Sequence, residues 1–74
     1  MDIEIIPHAK ARIKLRGITK AMVRDCLENP DRTGEGYLGR KISYKKLDKN
    51  QIKVVYENGL TFCVITVMWT NKLK

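Results

Sequence analysis

The chain has 74 residues, 43% of them hydrophobic, and its 15 lysines and arginines against eight acids give a formal charge of +7. A chain this short builds one core and buries roughly 60% of the surface that its unfolded form exposes. No apolar run approaches the ~20 residues that cross a bilayer, and Met1 is followed by Asp2 and Glu4 rather than by a basic leader. The expectation is a single domain over residues 1–74, cytoplasmic and without membrane attachment.

Residues 2–6 read as a brief strand, with Ile3 and Ile5 on one side. Pro7 is placed to open a helix, where its missing N–H costs nothing, and Gly17 is placed to close it. Residues 8–18 alternate apolar and basic letters, which is also a strand period, but alanine, lysine, arginine and leucine favour the helix. Wound at about 100° per residue, His8, Arg12 and Arg16 form a ridge between Ala11 and Leu15 on one flank and Ala9 and Ile13 on the other. Such a ridge points inward, where a cation needs an acceptor, a counter-charge or a wet cleft.

Thr19 is a competent N-cap for a second helix, in which Met22, Val23, Cys26 and Leu27 recur at helical spacing, and Asn29-Pro30 stops it. Residues 30–36 are turn chemistry. Residues 37–47 form a strand candidate with Arg40, Tyr44 and Lys46 on one face and Lys41 and Lys45 on the other. A turn at Asp48, Lys49 and Asn50 leads to a strand over residues 52–57. Asn58-Gly59 is a strong type I′ hairpin signal, since both residues accept positive φ. The run 60–70 is apolar or threonine on both faces, as in an interior strand, and 71–74 is a short basic tail. The order β-α-α-β-β-β predicts an α+β fold, two N-terminal helices packed on one face of an antiparallel sheet.

The positive charge points to a polyanion, RNA or DNA first and an acidic protein second, with solubility as the plain alternative. One histidine and two distant cysteines, Cys26 and Cys63, suggest neither a metal site nor a cofactor, and both cysteines read as reduced.

The signature HAxxRxxxRGI, the Leu-Glu-Asn-Pro-Asp helix end, Gly39-Arg40-Lys41 and the closing VITVMW run resemble a small family of unknown function. That family is related to the RelE, ParE and BrnT toxins. The resemblance spans about His8 to Trp69 and implies a RelE-like fold and a toxin-type protein. Relatives of that fold include ribosome-dependent messenger RNA endoribonucleases and gyrase inhibitors, usually paired with a small antitoxin. In the ribonucleases, basic residues and sometimes a tyrosine or histidine on the open sheet face do the chemistry.

Metal-independent RNA cleavage needs a base, an acid and cations for the phosphorane. His8, Arg12, Arg40, Tyr44 and Lys46 supply these types and are the catalytic candidates. Arg16, Lys41, Lys45 and Trp69 are the nucleic-acid-binding candidates, Trp69 as a stacking surface. Catalysis by an endoribonuclease predicts a cleft that gathers the helix ridge, Arg40 and Lys46 within roughly 10 Å. The alternatives are a non-catalytic basic module, or an inactive toxin relative docking a small acidic antitoxin-like partner, as monomer or homodimer. In those readings His8 is a helix-start anchor and Arg12 bridges to strand or helix-end acceptors.

Overall fold

The computed structural model describes residues 2–47 and 49–70. A strand β1 (Ile3–Ile5) is followed by helices α1 (Pro7–Leu15) and α2 (Lys20–Glu28), then by strands β2 (Arg32–Glu35), β3 (Lys41–Leu47), β4 (Asn50–Asn58) and β5 (Phe62–Thr70). The strands form one sheet in the order β1-β5-β4-β3-β2. The fold is α+β, and the helices precede all but one strand.

Local chemistry explains the helices. Pro7 occupies the first turn of α1. At its other end Ile18 N donates to Ile13 O (2.9 Å) and Gly17 N to Lys14 O (3.4 Å), with Gly17 at φ +68°. That is a Schellman closure, and Ile13 and Ile18, which it brings together, are both buried. Thr19 caps α2, its side chain accepting from Met22 N at 3.1 Å.

The sheet corrects three expectations. It is mixed rather than antiparallel, because β1 runs parallel to β5. The segment read as turn chemistry contains β2, paired with β3 from Arg32↔Tyr44 to Glu35↔Lys41. The type I′ geometry lies at Leu38-Gly39, not at Asn58-Gly59. Leu38 has φ 56° and ψ 36°, Gly39 has φ 77°, and Arg40 N closes the turn on Tyr37 O at 3.1 Å. Asn58 pairs with Phe62, so residues 59–61 make a three-residue connection in which Gly59 does not need positive φ. The turn expected at Asp48 lies partly, and the tail 71–74 wholly, outside the described residues.

Leucine in the left-handed region clashes with its own carbonyl, and Leu38 is 85% exposed, so no packing offsets the strain. Leu38→Asn is expected to raise stability by about 1 kcal/mol. A thermal melt should show a midpoint higher by a few degrees.

The core lies between the helices and one sheet face. It joins Ala9 and Ile13 of α1, Val23, Cys26 and Leu27 of α2, and Ile5, Ile52, Val54, Val64 and Val67 of the strands. A register shift opposite Val55/Tyr56 leaves Ile65 without a partner on β4, which lets Val64 and Val67, three apart, face the same way. The Tyr56 and Phe62 rings stack at 5.3 Å. Among the described residues no helix is long and apolar enough to cross a membrane.

Candidate nucleic-acid interface

Alternation along the strands turns every second side chain away from the helices. Since Val54, Ser43 and Val67 are buried beneath them, the bare face carries the neighbouring row Arg32, Tyr44, Lys53 and Met68, one residue from each of β2, β3, β4 and β5. The row spans three strand spacings, about 14 Å. The Arg32 guanidinium lies over the Tyr44 ring, 4.5 Å from its centroid. In the next row, Lys46 stands opposite Gln51 and therefore diagonal to Lys53. Lys46 is exposed, and its backbone N–H donates to Asp31 Oδ2 at 2.7 Å, which ties β3 to the loop before β2. On this face a planar cation stacked on an aromatic ring is flanked by two ammonium groups.

The acids sharpen this pattern, because four of the seven among the described residues are held in ion pairs. Glu28 pairs with Arg24 (3.9 Å), Asp25 with Lys45 (3.8 Å), Glu35 with Lys41 (2.6 Å) and Glu57 with Arg40 (3.4 Å). The surplus of positive charge is left on two surfaces. One is the bare face. The other is α1 and the start of α2, since residues 5–24 contain no acid at all.

The expected site residues divide between the two layers. Arg40, Tyr44 and Lys46 do share the bare face. His8 and Arg12 are exposed on α1, while Arg16 is half-buried. The inward stripe of α1 is Ala9, Ile13 and Arg16, so the ridge is rotated to one flank and Leu15 is left 84% exposed. Because α1 packs on β5 from the helix side, and Arg40 lies on the bare face before β3, the sheet itself stands between His8 and Arg40. The cleft expected to hold both does not form.

All four binding candidates have structural occupations, Arg16 through its guanidinium bond to Val67 O at 2.7 Å. Lys45 lies on the helix side of β3 and donates to Asn29 O (2.8 Å), placing its charge at the C-terminus of α2. The short hydrogen bond and the charge of Glu35 hold the Lys41 ammonium above its ordinary pKa. Trp69 is not an open stacking surface. Its ring packs against the core and its indole N–H donates to Arg16 O at 2.9 Å. Conversely, Arg32 and Lys53 belong to the bare face and were not singled out by the sequence. The available signal was Lys53 between Ile52 and Val54, an alternation that fixes its face once the strand is recognised.

Cys26 lies on the buried side of α2, its thiol donating to Ser43 O at 3.4 Å, and burial pushes its pKa up to about 12. Cys63 is free on the other face, so no bridge joins the two. Alkylation of native protein at pH 8 is expected to modify Cys63 and spare Cys26 until denaturant is added, as peptide mass mapping would show. A thiol whose folded pKa exceeds its unfolded value contributes stability that is complete below about pH 9 and lost as pH rises toward 12.

No protein-family model, curated protein or solved structure matches the chain.

Proposed function

We propose that this is a RelE-like, toxin-type protein that binds single-stranded RNA across the bare face of its sheet. The observation that carries the reading is the row of Arg32, Tyr44 and Lys53 with Lys46 beside it. Single strands are held by a basic track and by π surfaces on which unpaired bases stack. The guanidinium over Tyr44 supplies such a surface, and Lys46 and Lys53 supply phosphate contacts. Support for the RelE-like architecture comes from the two helices that precede an antiparallel run of four strands, and from the HAxxRxxxRGI signature. The parallel β1 is the point of departure from the expected sheet.

A second reading, metal-independent endoribonuclease at the same face, is favoured by Arg40, Tyr44 and Lys46 sharing one side of the hairpin. In that reading Tyr44 handles the proton and the cations hold the phosphorane, with His8 uninvolved.

The test incubates the purified full chain with end-labelled RNA, with and without ribosomes, beside separate Tyr44→Ala, Tyr44→Phe, His8→Ala and Arg40→Ala variants. Salt-dependent binding without cleavage, weakened in Tyr44→Ala, supports the binding module. Cleavage abolished in Tyr44→Phe but retained by His8→Ala supports the ribonuclease. RNA affinity that is absent, or that is unchanged in Tyr44→Ala, sinks the proposal.

A further inference from the structure

We infer that the RNA runs lengthwise along the β2–β3 hairpin, from the Arg32–Tyr44 surface to the ring of Tyr37 at the tip, with its sugar–phosphate chain lying over Gly34. This path rests on the RNA reading of the same face and adds Gly34 and Tyr37 to it.

Gly34 lies within β2, opposite Ile42. Alternation puts both on the bare face, one pair along from Arg32 and Tyr44. A glycine inside a strand weakens it, because it costs more backbone entropy and offers no side chain to pack. Three features of a fold can require one there: a positive φ, a bulge, or a neighbour too close for a Cβ. None holds at Gly34. Positive φ among the glycines is confined to Gly17 and Gly39, and the β2–β3 register is unbroken from Arg32↔Tyr44 to Glu35↔Lys41. A Cβ on Gly34 would meet nothing within 4 Å. Gly36 differs, because its Cβ would stand 3.3 Å from Ile42 Cγ1. The Ile42 side chain therefore leans toward Gly36, and the space over Gly34 stays open between Ile42 and the Arg32–Tyr44 pair. What is left to require the glycine is the close approach of a ligand.

The open position has an aromatic ring at each end. On one side the Arg32 guanidinium lies over Tyr44. On the other, Gly36 N donates to Arg40 O at 2.7 Å and carries the hairpin to its tip, where Tyr37 is 87% exposed and most of its ring is open to a base. From Arg32 to Gly36 the extended chain rises about 13 Å. A run of roughly four unpaired nucleotides bridges the two rings, so the ligand is a single strand rather than an isolated nucleotide. The acids nearby do not oppose it. Glu57 is held by Arg40 at 3.4 Å, and Glu35 turns to the helix side with Lys41.

The probe is fluorescein-labelled hexa-adenylate RNA, titrated by anisotropy into the full chain and into Gly34→Val, Gly34→Ala, Tyr37→Ala and Tyr37→Phe variants. A side chain at position 34 has room in the fold, so Gly34→Val is expected to keep or raise the thermal midpoint while weakening binding at least tenfold, with Gly34→Ala between. Tyr37→Ala is expected to weaken binding about tenfold, as the loss of one stacked base would, and Tyr37→Phe to retain it. Binding at full strength in Gly34→Val or in Tyr37→Ala, with Tyr44→Ala still impaired, would overturn the inference and leave the RNA reading standing. Lost binding in Gly34→Val together with a lowered midpoint would overturn it too, since the glycine would then serve the fold. Failure of the unsubstituted chain to bind the hexamer would remove the RNA reading and this path with it.

Discussion

Arg16→Ala is expected to destabilise the fold by about 2 kcal/mol while leaving RNA affinity nearly unchanged. β1 pairs with β5 only as far as Val64, so beyond that point the edge of β5 has no strand beside it. Arg16 fills part of the gap, its guanidinium donating to Val67 O at 2.7 Å, and Trp69 Nε1 returns a bond to Arg16 O at 2.9 Å. A hydrogen bond from a charged donor contributes more than a neutral one, and its loss leaves a part-buried carbonyl unpaired. In a 74-residue domain a loss of that size is a large fraction of the total. Urea unfolding should show the midpoint falling with little change in slope. A variant that keeps its midpoint but loses RNA would return Arg16 to the phosphate-binding role that its place in the signature suggested.

The parts of the fold legible in the sequence are those fixed by local sterics. Pro7, Gly17, Thr19 and Asn29-Pro30 act through their own backbone and nearest neighbours, and they delimit α1 and α2 as expected. The parts that were missed depend on distant partners. β2 reads Arg-Thr-Gly-Glu, with no apolar alternation and a glycine within it, and it is a strand because β3 pairs with it. Nothing in Ile3-Glu4-Ile5 distinguishes parallel from antiparallel pairing, since both bury the same isoleucines. The β4–β5 hairpin does follow Asn58, though by a three-residue connection, and the type I′ turn between β2 and β3 was missed because leucine almost never takes the left-handed conformation that Leu38 adopts. For the site, winding α1 found the correct ridge but not its phase. Apolar residues flank it on both sides, and only the packing of Ala9 and Ile13 against the sheet chooses between them. That choice turns His8 and Arg12 to solvent, while the sheet itself separates them from Arg40, Tyr44 and Lys46.

If the bare face holds the RNA, a Lys46→Gln/Lys53→Gln variant should lose about tenfold in affinity at 0.15 M salt. Each single-strand phosphate contact contributes about 0.7 to the slope of log affinity against log salt. Removing two should flatten that slope by about 1.4, measured by fluorescence anisotropy across a salt series. Lys53 is half-buried, its stem lying across the sheet between Tyr44 and Met68, so an uncharged residue of similar length keeps the packing and removes only the charge. The comparison that decides between surfaces is Lys10→Gln/Lys14→Gln on α1. It removes the same charge from the chain but from the acid-free helical side. Equal flattening by both pairs would mean that affinity follows net charge alone, with no preferred face. Flattening by the α1 pair only would move the interface to the helices and discard the bare face. Flattening by the Lys46 and Lys53 pair alone is the outcome expected here, because these cations stand beside the Arg32–Tyr44 surface on which bases can stack.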